Sequence, residues 1–350
     1  MQIVLNVQSL SVFSLVAICT VSVTNLFGEH PTSIAIVGGQ GDAPYAAIVR
    51  SDRSVMELAG LPAEGLTYRV AMNSSGRGIV GGTEGVNAYA ALVSHKGELT
   101  PIGGLMAPGE IYTVAIDESG KGLVGGGHAD SSVPYAALIS SKGEPKSLSL
   151  PPSGLIYRVV LGFFHNGIIG GKGPSNSAYA AFVSRSGMVT PIANLPQGAN
   201  YSVAINNAGV GIMGGTSQSQ PYAAVVSPQG VATPIQNLPT TTGIIYDVAI
   251  NASGTGLIAG LAASHPYGAF IAPNGVLTLL QGLPTGEGFL DGIVLDRSGY
   301  ALVGGESDGA PFLALAAPNG HLTYLNDLPE NGAINSISST KLNQIISMYR

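Results

Sequence analysis

The apolar positions of the chain fall in short runs of about four to six residues, and turn residues separate one run from the next. In the stretch 244–284 four such runs follow each other, with Ser253-Gly254 after the first and Asn274-Gly275 after the third. Short runs rich in Val, Ile, Tyr and Thr and bounded by Gly-containing turns are typical of antiparallel strands joined by hairpins. None has the length or the 3.6-residue period of a helix. The pattern predicts four strands, at 245–250, 256–260, 267–271 and 276–280.

This stretch is one copy of a unit that recurs along the whole chain. An aromatic residue followed by small residues opens the third run of each copy, and successive copies lie 43 to 46 residues apart. A pair of small residues, usually Gly-Gly, ends the second run. Seven copies therefore fill nearly the whole chain, and their aromatic residues are Tyr45, Tyr89, Tyr135, Tyr179, Tyr222, Tyr267 and Phe312.

Four antiparallel strands in a repeat of about 45 residues, repeated seven times, predict an all-β fold, a seven-bladed β-propeller. A single four-stranded sheet has two apolar faces and cannot bury either alone, so neighbouring sheets must stack face to face. Small residues such as Ala223-Ala224 suit places where two sheets approach closely. Paired glycines such as Gly214-Gly215 indicate positions where backbone freedom or close approach is needed.

The repeat predicts one propeller domain over residues 29–350 and leaves the apolar segment 1–28 outside it. That segment contains no charged residue. We interpret it either as a signal-peptide remnant or as a strand of the first repeat, at 21–27. At the other end, residues 333–338 match the first strand of a repeat, which predicts that they complete the N-terminal sheet and close the ring.

The repeat resembles the HAF repeat of bacterial exported proteins and is also similar to a kelch repeat. The HAF-like copy runs from Val203-Ala204-Ile205-Asn206 through Gly214-Gly215 and Tyr222 to Thr233-Pro234-Ile235. The resemblance covers about residues 33–338 and implies an extracytoplasmic or binding role more than a reaction. Similar repeats form passenger regions of bacterial autotransporters, so it also implies secretion or display on the outer surface of a bacterium.

Composition and charge exclude several classes of protein. Gly contributes 50 of 350 residues and only 10% of residues are charged, which excludes collagen, ordinary disorder and a helix-rich fold. The net charge is −6 and the 14 basic residues are scattered, so we expect no nucleic-acid partner. We expect membrane association only through the N-terminal segment or an anchor that the sequence does not contain. The single cysteine, Cys19, excludes an internal disulfide and a multi-cysteine zinc site.

The sequence offers no catalytic constellation. Its six histidines form neither an H-E-x-x-H motif nor a close pair, so we predict no metal and no cofactor. A G-x-S-x-G string at 305–309 lies between two predicted strands rather than at a strand-to-helix turn, and we interpret it as a chance match. No residue is therefore assigned a catalytic role.

Candidate binding residues lie in the loops after the second strands. Those loops emerge at the same end as the loops after the fourth strands, and we expect the longer, more variable loops there. Their polar residues differ between copies although the strands do not, as in a recognition surface. The predicted binding residues for a protein or glycan ligand are Glu84, Asn87, His128, Asp130, Asn176, Gln218, His265 and Asp308.

Three functions fit these observations. The first is a non-enzymatic exported or cell-surface repeat protein, adhesin-like or similar to an autotransporter passenger, that binds a ligand at one face. The second is a glycan-acting enzyme that uses carboxylates near the propeller channel. Carboxylates from several blades at one pocket would favour it. The third is an intracellular kelch-like scaffold.

Overall fold

The computed structural model describes residues 33–40, 43–52, 54–162, 166–326, 328–334 and 337. The chain divides after Pro191 into two compact units, of which the first contains four β-sheets and the second three. Apart from one 3-10 turn, Pro174–Asn176, the named elements of these residues are all β-strands. No helix in the described ranges is long and apolar enough to cross a lipid bilayer.

Every sheet is antiparallel, and its strands pair in sequence order. In the first unit, sheet 1 contains β1 (Ser33–Gln40), β2 (Pro44–Arg50) and β3 (Val55–Glu57), and sheet 2 contains β4 (Thr67–Met72), β5 (Gly78–Glu84), β6 (Asn87–Val93) and β7 (Leu99–Pro101). Sheet 3 contains β8 (Glu110–Ile116), β9 (Gly122–Gly127), β10 (Pro134–Ile139) and β11 (Pro145–Ser147). Sheet 4 contains β12 (Leu155–Leu161), β13 (Gly167–Lys172), β14 (Ala178–Val183) and β15 (Val189–Pro191).

The second unit contains sheets 5 to 7, each with four strands. Sheet 5 contains β16 (Gly198–Ile205), β17 (Gly211–Ser217), β18 (Gln220–Val226) and β19 (Ala232–Pro234). Sheet 6 contains β20 (Gly243–Ile250), β21 (Gly256–Ala262), β22 (His265–Ile271) and β23 (Leu277–Leu279). Sheet 7 contains β24 (Gly288–Leu295), β25 (Ala301–Ser307), β26 (Ala310–Ala316) and β27 (Leu322–Tyr324).

Two predictions for the ends of the chain fall on residues that the structure does not describe. Segment 1–28 lies outside the described residues, as do residues 335, 336 and 338 of the predicted closing strand. Sheet 1 has three strands in the described part of the chain, where four were predicted.

Residues 332–334 nevertheless contact sheet 7 in the way that the start of a first strand contacts the preceding sheet. The Gly332 N–H donates to the Gly309 carbonyl, and the Ile334 N–H donates to the Gly305 carbonyl. The Ile334 side chain is buried against sheet 7. The closing role of 333–338 stays a prediction.

In sheets 2 to 7 the second glycine of the small-residue pair is required by a β-bulge in the first strand. In sheet 5 the register between β16 and β17 shifts between Asn200 and Ser202, which leaves Tyr201 as the extra residue. The Ala199 carbonyl oxygen then lies where a Cβ atom at Gly215 would overlap it. The same shift and overlap recur in sheets 2, 3, 4, 6 and 7. Close approach, and not a left-handed backbone, therefore explains this glycine.

The first glycine of the pair allows neighbouring sheets to pack closely. A Cβ atom at Gly214 would meet Cγ2 of Ile245 and, at 2.7 Å, Cγ1 of Val248, both on β20 of the next sheet. Ile245 is fully buried in the apolar cluster that joins sheets 5 and 6. In sheet 6 Ala259 occupies the position of Gly214, so a methyl group is tolerated there when its neighbours differ.

The turn between the first and second strands carries a side chain that links neighbouring sheets. The Asn251 Oδ1 accepts hydrogen bonds from the Ser253 and Thr255 N–H groups, which closes the turn after β20. Its Nδ2 donates to the Asp296 carbonyl of sheet 7 at 3.0 Å. Asn73 and Asn206 each bind their own turn and the next sheet in the same way.

Candidate ligand-binding site

The connections between second and third strands are shorter than the sequence predicts in four of the seven sheets. They contain two residues in sheets 2, 5, 6 and 7, and among the connections that the structure describes in full the longer ones belong to sheet 3 (128–133) and sheet 4 (173–177). In sheets 5 to 7 both turn residues have positive φ, as in Gln218 (51°) and Ser219 (65°). Two consecutive left-handed residues make the hairpin turn that best matches strand twist. In sheets 2, 5, 6 and 7 the polar side chains between the second and third strands therefore lie on tight turns.

The predicted binding residues of the first unit remain on three separate connections. Glu84 and Asn87 pair with each other across the hairpin end of β5 and β6, and both are exposed. His128 and Asp130 lie in the loop of sheet 3. Asn176 belongs to the 3-10 turn of sheet 4, where its φ is 59°.

The carboxylate of Asp130 organises its own loop. It accepts a hydrogen bond from the Ser132 N–H at 2.9 Å and another from His128 Nδ1 at 2.7 Å. Hydrogen bonds from Ser132, followed by the one from His128, lower the pKa of Asp130 to about 2. The Oδ1 atom of Asp130 is thus already engaged within the loop.

The structure brings His265 and Asp308 to the same short segment, while Gln218 occupies the turn of sheet 5. His265 Nδ1 lies 2.9 Å from the Gly286 carbonyl oxygen. The Asp308 Oδ1 accepts a hydrogen bond from the Glu287 N–H at 3.0 Å, and the Glu287 carbonyl accepts one from the Asp308 N–H at 2.7 Å. Two predicted residues therefore hold segment 286–287 from its two sides.

A cleft of about 430 Å³ lies beside this segment, between sheets 6 and 7. We call it the acidic cleft, because its polar wall is made of three carboxylates and its apolar wall of an aromatic and an aliphatic side chain. The Phe289 ring packs edge-on against Tyr246, with centroids 6.1 Å apart. The acidic cleft is lined by Leu261, Ser264, Glu287, Gly288, Phe289, Glu306, Asp308 and Gly309.

Two of the three carboxylates are engaged with the backbone of sheet 7. Asp308 binds the Glu287 N–H, and Glu306 accepts a hydrogen bond from the Gly309 N–H. Glu287, just before β24, is exposed. All three belong to one sheet, so they do not meet the expectation of carboxylates from several blades. Among the described residues no group of three or more His, Cys, Asp or Glu side chains is arranged to hold a metal ion.

A row of tyrosines at the first-strand bulges was missed by the sequence reasoning. The extra residue of the bulge is a tyrosine in sheets 2 to 6 and Asp291 in sheet 7. Burial, with smaller effects from Asp291 and Tyr201, raises the pKa of Tyr246. The signal in the sequence is a tyrosine that recurs every 44 or 45 residues in the first apolar run. These bulge tyrosines are Tyr68, Tyr112, Tyr157, Tyr201 and Tyr246.

Comparisons with known proteins support the fold and leave the family open. No protein-family model matches the chain, and no curated protein matches its sequence. The resemblance to HAF and kelch repeats therefore remains an interpretation of the sequence.

Solved structures of β-propellers are similar to this chain. The Dos1 propeller has a TM-score of 0.62 and 13% identity over 87% of this chain and 85% of its own. A streptogramin B lyase has a TM-score of 0.57 and 13% identity over 78% of this chain and 89% of the lyase chain. YCF48, bound to D1 peptide, has a TM-score of 0.50 and 13% identity over 74% of this chain and 82% of the YCF48 chain. The predicted all-β, seven-bladed β-propeller is thus confirmed, and the same fold occurs in an enzyme and in a peptide-bound protein.

Proposed function

We propose that this chain is a non-catalytic binding protein whose acidic cleft takes a basic segment of a protein partner. The charge distribution carries the proposal. Residues 192–334 contain eight Asp or Glu residues and a single basic residue, Arg297. Arg297 follows β24, at the end of sheet 7 opposite to the acidic cleft. Such a local excess of negative charge attracts and orients a positively charged partner.

The walls of the acidic cleft suit the side chains of lysine and arginine. These side chains place an apolar stem against apolar surface and keep the charged head in a polar environment. Phe289 and Leu261 offer the apolar wall, and the exposed Glu287 offers a carboxylate to the head group. A guanidinium group also binds favourably over an aromatic ring.

The arrangement favours binding over the enzymatic alternative. A glycan hydrolase needs two carboxyl groups, one as acid and one as base or nucleophile, on either side of the bond that breaks. Glu306 and Asp308 instead bind backbone N–H groups of their own hairpin and of segment 286–287. The similarity to YCF48 bound to D1 peptide supports a peptide ligand, because it shows a related fold with a peptide.

The test is the binding of a labelled decapeptide of alternating Arg and Gly, compared with the same peptide in which citrulline replaces Arg. We expect the arginine peptide to bind and the citrulline peptide, which has the same shape without the charge, to bind at least about tenfold more weakly. Affinity is expected to fall as salt rises from 0.05 to about 0.5 M, because salt screens exposed charges. Fluorescence anisotropy measures both effects.

The matched controls are Glu287→Gln and Glu57→Gln, which remove the same charge at different places. Glu57 is an exposed residue of β3, far in sequence from the cleft. Glu287→Gln is expected to weaken binding about fivefold and Glu57→Gln to leave it unchanged. Equal effects of both variants, or tighter binding of a neutral oligosaccharide than of the arginine peptide, would overturn the proposal.

Export is the second part of the proposal and rests on the uncharged apolar segment 1–28. We expect the native protein to be protease-accessible on intact bacterial cells and to begin near residue 29 after processing. Cell fractionation with N-terminal sequencing of the recovered chain measures both. An unprocessed chain in the cytosol would instead support the intracellular scaffold.

A further inference from the structure

Two bulge tyrosines and one carboxylate converge at sheets 2 and 3, in the unit that does not contain the acidic cleft. The rings of Tyr68 on β4 and Tyr112 on β8 have centroids 5.4 Å apart and planes tilted by 50°. The Tyr68 hydroxyl donates to the Glu110 Oε2 at 3.0 Å. Tyr68 is 40% exposed, so a ligand can reach its ring.

Glu110 departs from the repeat at this position. The residue two places before the bulge is apolar in the other sheets that have a bulge: Leu66, Leu155, Ala199, Ile244 and Phe289. In sheet 3 a carboxylate therefore replaces the apolar side chain, next to the tilted pair of Tyr68 and Tyr112. Within the described part of the chain Glu110 has no ion-pair partner.

We propose that Tyr68, Tyr112 and Glu110 form a binding site for an organic cation. The face of an aromatic ring carries negative electrostatic potential, and a cation within about 6 Å of the ring centroid is attracted to it. The exposed Tyr68 presents ring surface to one ligand, and the neighbouring carboxylate adds a full negative charge. The ligand is an ammonium, guanidinium or quaternary ammonium group, supplied by a protein side chain or by a small molecule.

The state of the tyrosines agrees with a negative environment. Burial first, and then the hydrogen bond and charge of Glu110, raise the pKa of Tyr112 to about 12. The phenols therefore stay neutral at physiological pH, and the site disfavours further negative charge. A cationic ligand compensates the carboxylate, whereas an anionic ligand would add to it.

Calorimetric or NMR titration of the full chain with four probes tests this site. The probes are tetramethylammonium, N-acetyl-lysine methylamide, N-acetyl-arginine methylamide and the neutral 3,3-dimethylbutanol. We expect the cations to bind and the neutral probe to bind at least about tenfold more weakly. Tightest binding of tetramethylammonium would identify a small quaternary ammonium compound as the source, and tightest binding of an amino-acid probe would identify a protein side chain.

Variants separate the site from general surface effects. Glu110→Gln and Tyr68→Leu are expected to weaken cation binding about tenfold, while Tyr68→Phe, which keeps the ring, retains most of it. Tyr201→Leu is the control, because this bulge tyrosine of sheet 5 follows Ala199 instead of a carboxylate. Equal binding of the neutral probe, an unaffected Glu110→Gln variant, or an equal loss in Tyr201→Leu would overturn the proposal. Glu110→Gln and Tyr68→Leu leave the acidic cleft intact, so a loss of tetramethylammonium binding in these variants reports on this site alone.

Discussion

Gly215→Ala is expected to lower the free energy of unfolding by about 3 kcal/mol or more, a larger loss than other substitutions of comparable size. The new Cβ atom would overlap the carbonyl oxygen of Ala199, which belongs to the backbone of the neighbouring strand. A side chain can rotate away from a new methyl group, but this carbonyl is fixed by the β-bulge at Tyr201 and by the ladder that continues on both sides of it. Urea denaturation of the purified chain measures the loss.

Gly214→Ala is the matched control, since it adds the same methyl group one residue earlier. Its Cβ atom would meet methyl groups of Ile245 and Val248, which are ends of side chains. We expect a smaller loss, about 1 to 2 kcal/mol. If both variants lost the same stability, the overlap with the carbonyl would not be the reason for the glycine.

Sheet 6 indicates how the loss at Gly214 can be reversed. In sheet 6 the residue equivalent to Gly214 is Ala259, and Leu290 of the next sheet takes the place that Ile245 has beside Gly214. Gly268 stands where the other sheets have a larger residue. A Cβ atom at Gly268 would lie 2.8 Å from Leu290 Cδ2, so Leu290 fills the space that this glycine leaves open. Leucine is not branched at Cβ, which leaves room for the methyl group of Ala259.

The same set of residues can be transferred to sheet 5. Adding Ile245→Leu and Ala223→Gly to Gly214→Ala is expected to recover at least about half of the lost stability, because interacting sites are not additive. The two additional substitutions alone are expected to destabilise the chain. A triple variant no more stable than the sum of its parts would show that the three positions do not compensate each other.

The strands and their repetition could be predicted from the sequence because they depend on local patterns. The period of apolar runs and the Gly-containing turns predict strands 245–250 and 256–260, and the structure has 243–250 and 256–262. The Gly-Gly pairs were recognised as places that need either backbone freedom or close approach, and at Gly215 the structure shows close approach. Which group approaches each glycine depends on the pairing of two strands, and a single run does not contain that information.

The candidate site could be predicted only in part, for the same reason. Asp308 and His265 were selected as loop residues, and the structure places Asp308 in the lining of the acidic cleft and His265 against the Gly286 carbonyl. Phe289 and Glu287 were missed, because their position depends on the next repeat packing against the hairpin at Ser264. The tyrosine row was visible as a repeat, but a tyrosine in an apolar run is usually a strand residue, and only the register identifies it as a bulge.

Asn251→Ala is expected to lower the free energy of unfolding by about 2 to 3 kcal/mol, because this buried side chain holds both its own turn and the next sheet. Without it the Ser253 and Thr255 N–H groups lose their acceptor, and the Asp296 carbonyl loses a donor. The side chain is 6% exposed, so water does not readily replace these bonds. Asn319→Ala is the control: this exposed asparagine accepts one bond within its own turn, and we expect a loss below about 1 kcal/mol.

Asn251→Asp separates the two roles of this side chain, since a carboxylate accepts hydrogen bonds but does not donate them at neutral pH. Asp296 shows that a carboxylate closes this turn, because its Oδ1 accepts a hydrogen bond from the Tyr300 N–H at 2.9 Å. Asn251→Asp is therefore expected to keep the turn, lose the bond to sheet 7, and cost about 1 kcal/mol in urea denaturation. If Asn251→Asp loses as much stability as Asn251→Ala, the bond between the sheets accounts for all of the stability that this side chain contributes. If Asn251→Asp loses no stability, the bonds within the turn account for all of it. An intermediate loss is the result expected if one asparagine side chain both ends a hairpin and joins two sheets.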